Sequence, residues 1–285
     1  MAGMLYVCAT PIGNLEDMTY RVVRVLGEAD VIAAEDTRNS RKLLDHFDIH
    51  TPMTSYHEYN KFDKGRELVG RMLAGENVAL ITDAGMPGIS DPGEELVKMC
   101  YEAGVEVTVL PGACAFVTAL VLSGQKTRRL AFEAFLPMDD KKERRELLEN
   151  LKEETRTIIL YEAPHRLVRT LTELRDTLGE ERSISVVREL TKKHETVNRT
   201  TLGEAVGYYT ENEPRGECVL VLAGKSKQEK MAETAAAFAE MSVSDHVALY
   251  EARGMDRKEA MKAAANDRGV GKRDIYRALL EEQGE

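Results

Sequence analysis

The sequence predicts an α/β protein of two α/β domains with a small helical appendage. Three observations carry that expectation. The chain has 285 residues, 43% hydrophobic and 31% charged, which exceeds one ordinary core, since single cores stop growing near roughly 250 residues. Its first half alternates short β-branched runs with amphipathic helical stretches, the pattern of α/β layers. Its last fifty residues are helical in period and carry a basic stretch from Arg253 to Arg277, on a chain whose formal charge is −10.

The elements follow in order. Met4 to Cys8 reads as a strand running into the turn Thr10-Pro11-Ile12-Gly13-Asn14. A helix over 19–26 has Thr19 as its cap, and Val31 to Ala34 is a strand ending at the polar cluster Glu35-Asp36-Thr37-Arg38. Helices over 39–47 and 64–73 precede Val78 to Thr82, a nearly all-apolar strand of the kind buried on both faces. Pro92 suits the start of a helix over 93–103, Gly104 its left-handed stop, and Val105 to Leu110 a strand closed by Pro111-Gly112. Residues 1–112 thus form one α/β domain. Residues 113–224 are expected to form a strand-rich α+β domain with few intervening helices: strands over 130–136, 157–161, 183–188, 194–202 and 217–223, helices over 139–153 and 166–178. The polar stretch 225–230 reads as a linker. Helical segments over 231–241, 245–253, 257–267 and 272–280 make 232–285 a helix-turn-helix-like tail. Between Arg253 and Arg277 eight basic residues face four acidic ones.

Composition also excludes. No apolar run approaches the roughly 20 residues of a membrane span, and no charged leader with a long apolar core opens the sequence, so a cytoplasmic protein is expected. Cys8, Cys100, Cys114 and Cys218 are too scattered for a metal site and read as reduced, buried residues. The net acidity argues against a generic nucleic-acid coat while leaving room for local basic faces.

Three loops follow apolar strands: 10–14, 83–93 and 111–114. Beyond the carboxyl ends of strands in an open α/β sheet lies the crevice where ligands bind, so the three loops are expected to converge. The middle one holds three glycines and two prolines in eleven residues; glycine permits close backbone approach and proline fixes the conformation before ligand arrives. Neither a Walker loop nor a dinucleotide fingerprint is present. None of the loops contains Lys or Arg, so a polyphosphate would lack a counter-charge and a small ligand of little negative charge fits better.

Thr10 to Leu15, Ala34-Glu35-Asp36-Thr37-Arg38, Asp83 to Gly93, Tyr161-Glu162-Ala163-Pro164-His165-Arg166 and Arg188 to Glu195, in this order along the chain, resemble the RsmI family, the 16S rRNA (cytidine(1402)-2′-O)-methyltransferases of the tetrapyrrole-methylase superfamily. The resemblance implies a tetrapyrrole-methylase-like fold with the cofactor cleft between its two α/β domains. It implies S-adenosylmethionine as methyl donor and a homodimer acting on 16S rRNA in the small ribosomal subunit; from the cysteine spacing no metal is expected. Carried over from the superfamily, the cofactor positions are Pro11, Asp83, Met86, Ile89, Ala113 and Cys114, with Tyr161 and Glu162 closing the cleft from the second domain, and Glu217 to Leu220 near the adenine. A carboxylate such as Asp83 suits a donor carrying a sulfonium and an ammonium group, and Cys114 reads as a pocket wall.

A general base for the ribose hydroxyl could be Glu35, Asp36, Glu162 or Glu189. Each has a structural alternative: Glu35-Asp36-Thr37 could cap the following helix, and Glu162 could pair with Arg166 four residues on. Arg38, Arg41, Arg188, Lys192, Lys272 and Arg273 are the candidate RNA contacts, with Lys42, Lys126, Arg128 and Arg129 as further candidates. Two rival readings are a tetrapyrrole C-methyltransferase and a non-catalytic ribosome-associated binding protein. Against the first stands the Pro-Ile-Gly-Asn form of the first loop, where the porphyrin-precursor branch resembles Gly-x-Gly-Pro-Gly.

Overall fold

The computed structural model describes residues 2–283; the last two residues of the expected 232–285 tail lie outside the described residues. Two compact units divide the chain. One comprises the residues up to Lys152 with Arg156–Ala223; the other comprises Glu153–Thr155 and the residues from Gly224 onward.

The first unit contains two five-stranded sheets. In the first, β1 (Met4–Cys8), β2 (Val31–Ala34), β3 (Met53–Ser55), β4 (Val78–Ile81) and β5 (Glu106–Leu110) are all parallel, in the order β3-β2-β4-β1-β5. Alternate residues feed two cores. Leu5, Val7, Val31, Ala33, Val78 and Leu80 pack on one face with Tyr56, Leu68 and Leu96. Cys8, Ile32, Ala34, Ala79 and Ile81 pack on the other with Val22, Leu26 and Leu44. Burial on both faces is what makes these strands read as continuous apolar runs. The helices between them are α1 (Tyr20–Glu28), α2 (Thr37–His46), α3 (Lys61–Leu73) and α4 (Gly93–Glu102). Thr19 caps α1, its hydroxyl accepting from Val22 N–H. Because every strand runs the same way, the loops after β1, β2, β4 and β5 all open on one rim.

The second sheet is mixed. β6 (Leu130–Phe135) and β7 (Thr157–Glu162) are parallel, while β8 (Ser183–Arg188), β9 (Thr196–Thr201) and β10 (Cys218–Leu222) pair antiparallel, in the order β6-β7-β10-β8-β9. One face packs Ile158, Leu160, Val186 and Leu220 against helices. The other packs Ile159, Tyr161, Val187, Val219 and Val221 against Ile12 of the first loop and residues of α5 (Ala115–Ser123).

Several expectations are corrected here. The region after residue 112 is not poor in helices: α5, α6 (Lys141–Glu153), α7 (Leu167–Leu178) and α8 (Leu202–Glu211) all intervene. α5 is apolar nearly all round, AFVTALVLS, so it offers no amphipathic period to read. Residues 225–230 are not a linker, because α9 (Lys227–Ala237) begins inside them under a capping box in which Ser226 and Glu229 satisfy each other's backbone N–H groups.

The second unit packs α10 (Val243–Ala252), α11 (Arg257–Asp267) and α12 (Lys272–Gln283) around Val247, Ala260, Met261, Ala264, Ile275 and Leu279. Its interior holds polar groups as well. His246 is fully buried, stacks on Phe238 at 3.8 Å, and accepts a hydrogen bond from Arg268 at Nδ1, 3.0 Å. Lys225, also buried, is held by Glu153 and Glu233.

Candidate active site

The three loops do converge. Thr10 and Gly85 exchange backbone hydrogen bonds of 2.8 and 3.1 Å, which ties the first loop to the middle one, and the Thr10 hydroxyl donates to the Thr82 carbonyl at 3.1 Å. The third loop lies against the first so closely that a Cβ on Gly112 would stand 2.7 Å from the Cβ of Ala9. Only glycine fits there. In the middle loop the Asp91 carboxylate accepts from Gly88 and Gly93 N–H at 2.8 to 2.9 Å. A Cβ on Gly93 would meet Gly88 N at 2.7 Å. The glycines and prolines of this stretch thus build a fixed turn.

Between this rim and the second sheet lies a cleft of about 470 Å³, within the range of small-molecule sites. The first sheet contributes Ile12, Glu35, Thr82, Asp83, Met86 and Ile89, among others. Cys114 and Ala115 come from the third loop and the start of α5; Phe135, Tyr161, Glu162, Arg166, Leu190, Glu217 and Val219 come from the second sheet and its edges. Five non-glycine residues among those described have positive φ. Four of them, Ser90, Ala134, Glu189 and Thr191, line the cleft or adjoin a residue that does. Backbone strain of this kind persists where function or packing over-determines it.

Two carboxylates face each other on the first rim. Glu35 accepts a hydrogen bond from the Thr82 hydroxyl at 2.7 Å. Asp83 accepts from Asp36 N–H at 3.2 Å and from Asn39 Nδ2 at 3.5 Å. Partial desolvation, and next the neighbouring Glu35, push the Asp83 pKa above the usual carboxylate value. A bound cation would relieve both. Among the described residues Arg166 is the one cation in the lining, and Glu162 pairs with it through an Nε–Oε1 contact of 2.8 Å. The donor set therefore suits a cationic ligand.

The sequence-predicted residues divide. Asp83, Met86, Ile89, Cys114, Tyr161 and Glu217 line the cleft. Pro11 and Ala113 do not; their neighbours Ile12 and Cys114 do. Leu220 is a correction: strand alternation puts it in the core on the far face of β10, and Val219 lines the cleft in its place. Cys114 is half-buried with its pKa raised by burial, a neutral wall thiol. Cys8, Cys100 and Cys218 are free and buried. Burial raises Tyr161 to about 12, and its hydroxyl accepts from Phe116 N–H at 3.3 Å.

Of the candidate bases, Glu35 alone stands in the cleft with a carboxylate not absorbed by structure. Asp36 caps α2, accepting from Arg38 N–H at 2.8 Å, and its hydrogen bonds with Arg38 lower its pKa to about 2. It is a helix cap. Glu162 is buried and saturated by Ala163 N–H, Arg166 and Thr170 at 2.6 to 2.8 Å. Glu189 lies outside the lining and pairs with Lys192 at 2.9 Å. Sequence reading missed Thr82, Phe135 and Leu190. Thr82 adjoins Asp83 and Phe135 precedes the strand-ending Leu136-Pro137, which are usable signals; nothing local marks Leu190.

Among the candidate RNA contacts, Arg38 and Arg41 border a shallow open groove with Thr54 and Ser55. Lys272 and Arg273 are exposed on α12. Two others are engaged: Arg188 donates to the Arg215 carbonyl at 2.7 Å, and Lys192 bridges Glu189 and Glu217.

Comparison with known proteins agrees with this geometry. A family model described as Tetrapyrrole (Corrin/Porphyrin) Methylases matches residues 4–206. The chain belongs to that family. It is 49% identical over 279 residues to the ribosomal RNA small subunit methyltransferase I of a Synechocystis species, covering 98% of both chains. It is 46% identical to the protein of that name from Bacillus subtilis, over 97% of this chain and 94% of the relative. Identity to the Escherichia coli O157:H7 protein of that name is 41%, over 99% and 96%. Among solved structures, the methyltransferase CobJ superposes with a TM-score of 0.59 at 19% identity, over 78% of this chain and 95% of that one. A uroporphyrin-III C-methyltransferase from Thermus thermophilus, complexed with S-adenosyl homocysteine, gives 0.55 at 20%, over 78% and 97%. These two likenesses concern the fold. Among the described residues no cluster could hold a metal ion and no helix is long and apolar enough to cross a membrane.

Proposed function

We propose that this tetrapyrrole-methylase family member transfers a methyl group from S-adenosylmethionine to the ribose 2′-oxygen of cytidine 1402 in 16S rRNA of the small ribosomal subunit. The observation that carries the reading is the match, over nearly the full length of both partners, to relatives named as small-subunit ribosomal RNA methyltransferases. The cleft is consistent with it: about 470 Å³, rigid, and lined by carboxylates where a cationic donor needs them. When bound, S-adenosylmethionine supplies an electrophilic methyl group on a positively charged sulfur.

The chain's own groups would do the following. Asp83 attracts the donor's positive charge. Met86, Ile89 and Cys114 give an apolar slot, and the backbone around Gly112 allows close approach. Glu35, held by Thr82, accepts the ribose hydroxyl proton, an assistance of roughly 10²–10⁴-fold in general-base systems. The rigid loops contribute orientation, which in well-aligned reactions accounts for about 7–11 kcal/mol. RNA is selected over DNA because the acceptor hydroxyl exists only in RNA.

The acidic chain would hold RNA through local basic faces: Arg38 and Arg41 beside the site, and Lys272 and Arg273 on the helical tail. Charge reversal at Lys272 and Arg273 is expected to weaken subunit binding and to reduce the salt slope by about 0.9 for each phosphate no longer neutralised. Unchanged binding would make the tail a packing element. The homodimer and the cytoplasmic location belong to the same reading. Val117 and Val121, four residues apart on α5 and 46% and 70% exposed, offer an apolar stripe for a second copy, and light scattering should return twice the chain mass.

One experiment tests the whole. Labelled donor is incubated with small subunits, free rRNA or a tetrapyrrole precursor. Label on a ribose oxygen in subunits is expected; label on the tetrapyrrole, or none anywhere, overturns the proposal.

A further inference from the structure

β6 carries a defect with a consequence for the cleft. Leu130, Ala131 and Phe132 pair in step with Thr157, Ile158 and Ile159 of β7, but the next pair is Phe135 with Tyr161. Three residues on one strand therefore oppose two on the other, a β-bulge, and Ala134 within it has φ +50°. In an unbroken strand residues 132 and 135 would point to opposite faces. The extra residue turns both to the cleft side. Their fates differ. Phe132 is interior, stacked on Phe116 at 4.5 Å and edge-on to Tyr161 at 5.0 Å.

Phe135 enters no core and stays 47% exposed in the cleft lining. Tyr161 supports its ring at 5.5 Å and 56°, and the Arg166 guanidinium carbon lies 5.7 Å from its centroid. A left-handed alanine is thus held in place to present an aromatic face that buries little. Such a combination is selected for what the ring will meet, because neither the strain nor the exposure favours the free protein. The ring's other lining neighbour of its kind, Tyr161, already has its hydroxyl occupied by Phe116 N–H.

We propose that Phe135 is the stacking platform for the base of the acceptor nucleotide, with the Arg166 guanidinium beside it facing the adjoining phosphate. This rests on the rRNA reading above. A ribose hydroxyl can reach a recessed site only if its nucleotide is turned out of the RNA stack, and the base then loses its neighbours. An aromatic side chain replaces them whatever the base, since every base has a π-face. Phe135 accordingly positions the nucleotide without selecting cytosine.

The full chain is made with Phe135→Leu, Phe135→Ala and Phe135→Trp, and each is assayed on small subunits lacking the methyl group. S-adenosylmethionine affinity is measured by calorimetry, and thermal unfolding confirms the fold. From the measured contribution of base stacking, Phe135→Leu and Phe135→Ala should lower kcat/KM for subunits by roughly 5- to 150-fold. Donor affinity should stay within about twofold, and Phe135→Trp should return near wild-type activity. Leucine matching wild type would overturn the platform while leaving the methylation reading intact. A fall in donor affinity as large as the fall in kcat/KM would also overturn it, assigning Phe135 to the donor's side. Wild-type protein that leaves subunits unlabelled would overturn both.

Discussion

The two sheets of the first unit face the same cleft and supply it differently. The parallel sheet delivers four strand ends to one rim, and the loop after each places a side chain in the cleft: Ile12 after β1, Glu35 after β2, Asp83 after β4 and the wall residue Cys114 after β5. The mixed sheet has strands running both ways. It can offer only particular strand ends and one bulge, and the carboxylate it buries at the cleft, Glu162, is saturated internally. Uniform strand direction thus gathers reactive groups, whereas mixed direction yields a supporting wall.

The largest effect should come from the carboxylate assigned to chemistry. Glu35→Gln keeps the size of the side chain and an oxygen for the Thr82 hydroxyl. It should lower kcat on subunits by roughly 10²–10⁴-fold with donor affinity and thermal stability little changed. Wild-type kcat in this variant would remove the reactive role from the first rim and break the contrast at its strongest point.

The wall predicts the opposite signature. Glu162 is 3% exposed and accepts from a backbone N–H, a guanidinium and a hydroxyl. Glu162→Ala leaves these donors unpaired and should destabilise the protein by about 3 kcal/mol, the lower end for breaking a buried pair because Arg166 retains some solvent. Denaturant unfolding reads this directly. A variant of normal stability but no activity would move Glu162 from the wall to the chemistry.

The same asymmetry governs what the sequence revealed. The parallel sheet was legible because double burial writes apolar runs and because the loops at its rim need glycine and proline, as at Gly112 and Gly93. The loop that holds Asp83, Met86 and Ile89 is marked that way, and the family resemblance picks out those three residues. The wall is legible only in part: the resemblance supplies Tyr161, Glu162 and Glu217, and the rest escapes for identifiable reasons. α5 lacks a period because it is apolar all round. Leu220 and Val219 differ only by strand register, which a one-residue slip inverts. The bulge that turns Phe135 inward has no glycine to announce it. Asp36 and Glu35 adjoin in sequence, yet one caps a helix and the other faces the cleft, a distinction set by tertiary contacts alone.

A smaller effect is the pH response of the first rim. Asp83 has its pKa raised above 3.8 by desolvation and by Glu35, so the folded chain holds this proton more tightly than the unfolded one. Its contribution to the stability of the ligand-free protein is therefore unfavourable at neutral pH and is relieved as pH falls through the raised value. Cation binding requires the ionised form, so donor affinity should rise with pH across that window. Asp83→Asn should flatten the affinity profile and weaken donor binding. It should stabilise the ligand-free protein by less than about 1 kcal/mol, since the group is solvent-screened. A variant less stable at neutral pH, with the pH dependence retained, would show that Asp83 is structural.

The smallest effect concerns the strain stored in the wall. An L-residue in the left-handed region costs about 1–2 kcal/mol, while glycine there gives back about 0.4–1 kcal/mol through the greater freedom of the unfolded chain. Ala134→Gly should accordingly stabilise the protein by about 0.5 kcal/mol. Ala134→Val, β-branched at φ +50°, should destabilise it by at least as much as alanine's own strain. Activity should follow the ring and not the stability. If the bulge exists to aim Phe135, the glycine variant keeps or slightly lowers kcat/KM as the ring gains freedom, and the valine variant loses activity at temperatures where it is still folded. Equal stability of all three side chains would mean that Ala134 is not strained and that the hydrogen-bond register between β6 and β7 alone directs Phe135 into the cleft.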